Sequence, residues 1–120
     1  MNKFSNICEN NNFIDVNCVS LNSELLYITE NNKQVGSLIL CYSADGKASV
    51  FSVAVLEQFR GKGYSKQLMN KAIDRAKEKG CVLMELNTEV TNEVANNLYQ
   101  KMGFELKGLM DDYNNYQLVL

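Results

Sequence analysis

The segment Val53–Met69, "VAVLEQFRGKGYSKQLM", decides the fold, because it joins a strand to a helix through a loop with two glycines and two cations. Its first residues are apolar and β-branched, which favours a strand. From Leu68 onward, apolar residues recur at helical spacing with charged residues between them, and Gly80 supplies a stop. The segment therefore predicts a strand, a short loop and an amphipathic helix in direct succession.

Apolar runs upstream of this segment predict an antiparallel meander, with strands at 24–30, 34–42 and 48–56. Its turns, at Asn31–Lys33 and at Asp45-Gly46, carry residues that tolerate positive φ, as tight hairpins require. Weak alternation predicts a further strand at Phe13–Val19. The polar residues 1–12 predict a loose or variable start.

Downstream, "CVLMEL" at 81–86 has the length and composition of a buried strand. A second helix is predicted between an N-cap at Thr91 or Asn92 and a stop at Gly103. Its apolar stripe consists of Val94, Ala95, Leu98, Tyr99 and Met102. Two short strands, "FELKG" and "YQLVL", close the chain around a polar tip.

This order of elements predicts an α+β fold, or a mixed-sheet α/β fold, in a single domain over residues 1–120. The sheet is expected to be mixed and mostly antiparallel, with helices on its faces. A strand, a crossover helix and a second strand indicate one parallel or splayed pair in its middle.

Composition and charge restrict the function classes. The chain of 120 residues has a net charge of −2, which argues against broad nucleic-acid binding. Without any histidine, a histidine base and a mixed zinc site are excluded, and no metal is expected. No apolar run reaches the length of a signal peptide core or a membrane span. Cysteines without CxxC spacing indicate a reducing, cytoplasmic compartment and small buried side chains: Cys8, Cys18, Cys41 and Cys81.

The glycine loop predicts an anion site. Gly61 and Gly63 permit backbone conformations that turn successive N–H groups toward one ligand, and Arg60 and Lys62 add positive potential at the start of a helix. A phosphate or pyrophosphate fits such a loop, although a glycine pair also makes a plain tight turn. The Walker pattern is absent, and GxGxxG fails because Lys66 replaces its third glycine.

Two motifs at matched spacing carry a resemblance: Gln58-x-x-Gly61-x-Gly63 and Asn92-x-x-Ala95-x-x-Leu98-Tyr99-x-Lys101-x-Gly103-Phe104. Together they resemble the GNAT superfamily of acyl-CoA-dependent N-acyltransferases. The resemblance extends from Gln34 to Leu120 in element order. It implies acetyl-CoA as the acyl donor, held in a cleft between two splayed strands.

The resemblance also implies cofactor contacts. Backbone groups of Val53 and Val55 would bind the pantetheine arm, and Asn92 would contact the cofactor or serve only as an N-cap. Loop amides would hold the pyrophosphate: Arg60, Gly61, Lys62, Gly63, Tyr64 and Ser65. The sequence departs from the family at Ser65, where glycine or alanine is frequent, and a serine can still donate its amide and hydroxyl.

Tyr99 stands where the family places the acid that protonates the departing thiolate, although the same side chain also fits a core position on the apolar stripe. The base stays unassigned. Many relatives have a glutamate on the strand before the loop, but the candidates here are Ser49, Phe51, Ser52 and Val53. Glu85, Asp111, Asp112 or a water chain are the alternatives.

The acceptor side is expected to be open, because the residues before the first confident strand are too few for a strand and the two helices that the family has there. A bulky acceptor such as a protein tail, or a second subunit, would complete it. Its border would consist of Met110, Asp111, Asp112, Tyr113 and Tyr116. Asp111 and Asp112 would attract a cationic amine, or be a solvated turn.

The resulting hypothesis is acetyl transfer from acetyl-CoA to a primary amine, of a small molecule or a peptide, by direct attack in a ternary complex. The alternative is a non-catalytic acyl-CoA-binding or interaction module on the same fold. A nucleotide-binding regulator is disfavoured by the missing Walker lysine. A homodimer is plausible, and neither nucleic acid nor membrane is an expected partner.

Overall fold

The computed structural model describes residues 2–9, 12–20 and 22–120, and within the first two ranges it describes only the side chains of Ile14 and Val16. The strands are β1 Asn2–Glu9, β2 Asn12–Ser20, β3 Ser23–Glu30, β4 Lys33–Tyr42, β5 Lys47–Val55, β6 Leu83–Glu89, β7 Glu105–Met110 and β8 Tyr113–Val119. The helices are α1 Tyr64–Glu78 and α2 Glu93–Lys101, and a short 3-10 turn covers Glu57–Phe59.

All eight strands form one sheet in the order β1-β2-β3-β4-β5-β6-β8-β7. Neighbouring strands are antiparallel except β5 and β6, which are parallel because α1 connects them. Their ladder ends at the pair Val50–Leu86, although β5 runs on to Val55 and β6 to Glu89. The predicted mixed sheet with a splayed central pair is confirmed. We call the unpaired region beyond Val50 and Leu86 the fork.

A β-bulge in β5 lies directly at the fork. Between the cross-strand pairs Ile39–Phe51 and Ser37–Ala54, β5 contains one residue more than β4. Ser52 sits in this bulge with φ of 55°, in the left-handed region that few residues other than glycine adopt. The buried positions of β5 change parity across the bulge. A bulge bends its strand and increases its twist, which helps β5 to leave β6.

Both helices pack on one face of the sheet, which we call the helix face. The buried strand residues face each other in register across it: Val16, Leu26, Leu38, Leu40, Val50, Leu86 and Tyr116. From α1, Leu68, Met69, Ala72 and Ala76 complete this core. The helix face therefore holds the hydrophobic core.

The opposite side of the sheet, the open face, carries side chains that alternate with the core residues. Leu25, Ile39 and Phe51 follow one another in register on this side, and Phe51 is 51% exposed. No helix in the described part of the chain covers it. That an acceptor binds on this face stays a prediction.

A buried ion pair fixes α1 to the sheet. Arg75 on α1 donates hydrogen bonds to the carboxylate of Glu24 on β3, which is 3% exposed, and Tyr42 on β4 donates to the same carboxylate at 2.6 Å. Because a buried charge is costly without partners, these bonds are needed for Glu24 to remain ionised.

Most predicted elements are confirmed within three residues of their bounds, with two exceptions. Residues 2–9 form β1, so the loose start predicted for 1–12 is wrong there; Met1, Asn10 and Asn11 lie outside the described residues. The mistake arose because β1 is largely polar, and backbone pairing with β2 orders it. Val94 is 81% exposed and lies off the buried stripe of α2.

The cysteine prediction is confirmed in part. Cys81 is buried as expected, and burial raises the pKa of its thiol. Cys41 is only half-buried, since it lies on the open face. The side chains of Cys8 and Cys18 lie outside the part of the chain that the structure describes.

Candidate functional site

The fork exposes a backbone edge of β5. Ser52 and Val53 fall outside the register with β4, and β6 ends its pairing before them. The Leu56 N–H donates to the Val35 carbonyl at 2.8 Å, so the polar groups of the adjacent Val55 point the other way, into the fork. The predicted backbone positions, Val53 and Val55, therefore lie along one wall of the fork. The carbonyl of Val55 accepts a hydrogen bond from Arg60 Nε at 3.0 Å.

The glycine loop lies at the end of β5 and leads directly into α1. Gly61 and Gly63 have φ of 80° and 82°, and Gly63 is the N-cap of α1. A Cβ on either glycine would meet no atom within 4 Å, so the positive φ, not crowding, requires glycine. The first amides of a helix have no intrahelical acceptor, and half-buried Ser65 lies in this first turn of α1. Tyr64 has a buried side chain, so only its backbone can face the loop.

Lys62, one of the two cations of the loop, has partners in the structure. Lys62 Nζ lies 3.3 Å from Glu30 Oε1 on β3 and 5.1 Å from the centre of the Phe59 ring. Lys33 Nζ lies 5.5 Å from the centre of the same ring. These contacts hold the loop against the turn between β3 and β4, and Glu30 partly neutralises the charge of Lys62.

A groove of about 280 Å³ runs between the two helices next to the loop. It is lined by Lys66, Asn70, Ile73, Leu98, Lys101 and Met102. The groove begins one residue after Ser65, so it continues the path from the loop along the helix face. Apolar side chains between two cations suit a flat apolar group that carries a phosphate.

Tyr99 lies on the helix face beneath the fork. Its ring packs against Phe104 at 5.8 Å and against Tyr116 at 6.0 Å between centroids, and the residue is 4% exposed. Burial raises the pKa of the phenol. Among the residues that the structure describes, its hydroxyl has no hydrogen-bond partner. Tyr99 is thus a core residue that retains an uncommitted polar group, so the two interpretations of the sequence are compatible.

Asn96 is a site residue that the sequence interpretation missed. It is 8% exposed, its Nδ2 donates to the carbonyls of Glu89 and Asn92 at 3.0 and 2.8 Å, and its Oδ1 accepts from Asn114 at 2.9 Å and from the Tyr116 hydroxyl at 2.6 Å. The side chain joins α2 to the end of β6 and to β8, which fixes the second wall of the fork. An asparagine beside an apolar stripe was the available signal.

Asn92 caps α2 as one of its two interpretations predicted, since its Oδ1 accepts from the Ala95 N–H at 3.1 Å. It is exposed at the mouth of the fork, where the connection from β6 to α2 ends. The capping bond does not decide whether its remaining groups contact a cofactor, and that role stays a prediction.

The turn between β7 and β8 carries the predicted acceptor residues. Asp111 and Asp112 are both exposed, and the Asp112 carbonyl accepts from the Val90 N–H at 2.9 Å, which places the turn beside the end of β6. Met110 is exposed as well. Tyr116 is fully buried, because it is the register partner of Leu86 on the helix face. Its predicted place at the border of the acceptor side is therefore wrong.

Within the described ranges, no group of three His, Cys, Asp or Glu side chains is placed to hold a metal ion. None of the helices in those ranges has the length and apolar character needed to cross a bilayer.

The sheet forks between two parallel strands, and a glycine loop and a helix N-terminus lie beside the fork. A protein with this arrangement can hold a long anionic ligand at the centre of its sheet. Residues 6–104 match the sequence profile of the acetyltransferase (GNAT) family. Because this match covers most of the chain, the protein belongs to the GNAT family.

Two relatives of the chain carry names that describe N-acetyltransferases. The chain is 34% identical over 88 residues to the [ribosomal protein bS18]-alanine N-acetyltransferase of Haemophilus influenzae, covering 73% of this chain and 59% of that one. It is 44% identical over 52 residues to N-alpha-acetyltransferase 30 of Saccharomyces cerevisiae, covering 43% and 30%. The chain therefore spans about six tenths or less of the length of these relatives.

A solved structure shares the fold over its whole length. The GNAT family acetyltransferase of Elizabethkingia anophelis, solved with acetyl-CoA bound, superposes with a TM-score of 0.81 at 18% identity. The match covers 93% of this chain and 100% of that one. At this identity the likeness establishes the fold alone.

Proposed function

We propose that the protein is an N-acetyltransferase that transfers the acetyl group of acetyl-CoA to a primary amine by direct attack in a ternary complex. The observation that carries the proposal is the fork: the β5–β6 ladder stops at Val50–Leu86 and leaves the bulged edge of β5 unpaired beside the glycine loop. An unpaired strand edge can bind the amide groups of pantetheine as a neighbouring strand would.

The remaining parts of the donor have matching partners along the same path. The backbone of the Gly61–Ser65 loop, with Arg60 and Lys62, would bind the pyrophosphate. The groove between α1 and α2 would take the adenosine end, with Lys66 and Lys101 near its 3′-phosphate. The fold neighbour of Elizabethkingia anophelis was solved with acetyl-CoA bound, which supports acetyl-CoA as the donor.

Tyr99 is the proposed acid. Its hydroxyl is buried and without a partner among the described residues, so a thioester sulfur in the fork would supply the missing hydrogen-bond acceptor. Direct attack is favoured because a covalent route needs an activated nucleophile. The chain has no histidine to activate one, and burial raises the pKa of Cys81, which disfavours its thiolate.

The proposed acceptor is the α-amine of a peptide chain. The names of both curated relatives describe acetylation at a protein α-amine or alanine, and the open face leaves room for a bulky acceptor. Asp111 and Asp112 would border its path and attract its positive charge. The cytoplasmic location and the homodimer stay predictions, and size-exclusion chromatography with light scattering tests the dimer.

The test begins with binding. Isothermal calorimetry should detect acetyl-CoA and CoA but not ATP or GTP. Free-thiol release should then rise with peptide α-amines in a panel that also contains lysine side chains, polyamines and aminoglycosides. Donor binding without turnover on any amine would support a non-catalytic module, and no donor binding would refute both functions.

A matched pair of variants isolates the loop. Gly61 and Gly80 both have φ of 80° and no atom within 4 Å of an added Cβ, but they lie at opposite ends of α1. Alanine at each should cost about 1 to 2 kcal/mol of backbone strain. Gly61→Ala should weaken acetyl-CoA binding at least tenfold, whereas Gly80→Ala should leave the Kd unchanged.

A further inference from the structure

The open face carries one carboxylate beside the fork. Glu85 on β6 is the register partner of Ser49 on β5, one position before Val50 and Leu86, where the ladder ends. Successive strand residues are about 3.3 Å apart, so Glu85 lies one strand step from the fork. Its side chain is 28% exposed, accessible to a second substrate but not fully solvated.

The neighbours of Glu85 keep this carboxylate in place. Ser49 Oγ lies 3.5 Å from Glu85 Oε1, and Lys47 Nζ lies 3.7 Å from Glu85 Oε2. Across the next strand its register partner is the uncharged Gln117, and Cys41 on β4 is the partner of Ser49. Lys47 is therefore the charged group nearest to it on this face, and Cys41 on β4 and Glu105 on β7 each lie two strands away in the same row.

Glu85 and Tyr99 lie on opposite faces of the sheet at the same end of the fork. Residues that are adjacent in a strand point to opposite faces, and Leu86 next to Glu85 is buried on the helix face. Tyr99 packs there against Tyr116, the register partner of Leu86. A thioester held in the fork would therefore have an acid on one side and a carboxylate on the other.

We propose that Glu85 binds the ammonium group of the acceptor on the open face and takes its proton before attack. This inference rests on the proposed acetyltransferase function. In this proposal Glu85 takes the place of a glutamate on β5, which this chain lacks. As the cross-strand partner of Ser49, it supplies the carboxylate from the neighbouring strand β6.

The protons and bonds balance with these two groups. Glu85 takes one proton from the ammonium and passes it to solvent. The neutral nitrogen then forms the C–N bond with the acetyl carbon as the C–S bond breaks. The second proton leaves the nitrogen for solvent, and the departing sulfur receives one from Tyr99, whose phenolate regains a proton from solvent. The products are the N-acetyl amide, CoA with a free thiol and one proton.

A purely structural role for Glu85 is the weaker explanation. The ion pair with Lys47 is 3.7 Å long, and the two side chains are 28% and 38% exposed. Exposed pairs of this kind contribute little to stability. Removal of the charge should therefore leave the fold intact, so an effect on turnover would be chemical in origin.

The test measures kcat/KM for a peptide α-amine acceptor between pH 6 and 7.5, below the ordinary pKa of an α-amino group of about 7.7 to 8.0. Since Glu85 recruits the ammonium form, the unsubstituted protein should show a nearly flat profile. Glu85→Gln should be about 10²-fold to 10⁴-fold slower at pH 6, and its rate should rise about tenfold per pH unit with the neutral amine. The KM for acetyl-CoA should stay within twofold.

Glu105→Gln is the matched control. Glu105 is in register with Gln117, in the same row of the sheet as Glu85 but away from the fork, and its carboxylate pairs with Lys107 at 2.8 Å. This variant makes the same charge change in a comparable ion pair. It should keep the flat profile and the full rate.

A position swap provides the second test. Because Ser49 and Glu85 are register partners, Glu85→Ser combined with Ser49→Glu moves the carboxylate across one strand and keeps it beside the fork. The double variant should regain at least tenfold over Glu85→Ser alone. Glu85→Gln with an unchanged rate and a flat profile would overturn the assignment, and so would a slow Glu85→Gln whose profile stays flat.

The two proposals fail in different ways. An unsubstituted protein that binds acetyl-CoA but acetylates no amine would overturn the enzyme function and the role of Glu85 together. Turnover by the unsubstituted protein that is indifferent to Glu85→Gln would overturn the role of Glu85 alone.

Discussion

Tyr99→Phe should slow acetyl transfer strongly and, at the same time, leave the protein no less stable. The substitution removes one hydroxyl and leaves the ring that packs against Phe104 and Tyr116. That hydroxyl is buried without a partner among the described residues, and such burial costs about 1 to 3 kcal/mol in protein mutational data. The free energy of unfolding should therefore be unchanged or higher, with a rise in Tm of about 3 to 5 °C per kcal/mol at this chain length.

The expected loss of activity is larger than this gain in stability. A positioned general acid contributes about 10²-fold to 10⁴-fold, which corresponds to about 3 to 5 kcal/mol in the barrier for acetyl transfer. The loss should appear in kcat, measured as CoA thiol release at saturating acetyl-CoA, because the ring still fills its place. The KM for acetyl-CoA should stay within about threefold.

Tyr116→Phe is the matched control for this experiment. The Tyr116 hydroxyl donates to Asn96 Oδ1 at 2.6 Å, so its removal should cost about 0.5 to 1.5 kcal/mol of stability and only a few-fold in kcat. The two substitutions should therefore have opposite effects. Tyr99→Phe should keep or raise stability and lower kcat strongly, whereas Tyr116→Phe should lower stability and change kcat only a few-fold. A Tyr99→Phe protein that melts at a lower temperature and turns over at the unsubstituted rate would refute the reasoning about both the hydroxyl and the acid.

Three further outcomes are expected. Asn96→Asp, which loses two donated hydrogen bonds, should lower the free energy of urea unfolding by about 1 to 3 kcal/mol, whereas the exposed control Asn97→Asp should change it little. Glu30→Gln should free the lysine of the glycine loop and lower the calorimetric Kd for acetyl-CoA up to about fivefold at low salt; an unchanged Kd would exclude that lysine from donor binding. Burial acts to raise the pKa of Glu24, but its hydrogen bonds, first from Arg75, lower the pKa overall. The stability that Glu24 contributes should therefore be complete above about pH 4.5 and be lost as the pH falls through the lowered value, and Arg75→Met should remove about 3 to 5 kcal/mol at pH 7.

The elements that the sequence predicted are those with a local signal. Glycines with positive φ end both helices at Gly80 and Gly103, and the Asn92 cap is formed by its own side chain. The glycine loop is recognisable in the sequence because two glycines between a strand and a helix indicate backbone with positive φ. Each of these features depends on residues close in the chain, so a short window contains the whole cause.

The features that escaped prediction depend on pairing between distant segments. The bulge at Ser52 follows from the register of β5 against β4, and nothing in its own composition marks a serine that will adopt positive φ. The sequence alone predicts Tyr116 at the border of the acceptor side, because only the pairing of β8 with Leu86 shows which face the tyrosine occupies. The polar strand β1 gave no apolar alternation, since its order comes from backbone pairing with β2.

Register also determines which side of the fork each proposed catalytic group occupies. In a strand the side chains alternate between faces, so a slip of one residue between β5 and β6 would exchange Glu85 for Leu86 on the open face. Such a slip would bury the carboxylate in the core and expose Leu86, whose register partner Tyr116 packs against Tyr99. The hydrophobic core on the helix face therefore selects the register, and in the proposed mechanism that same selection places the base and the acid on opposite sides of one thioester.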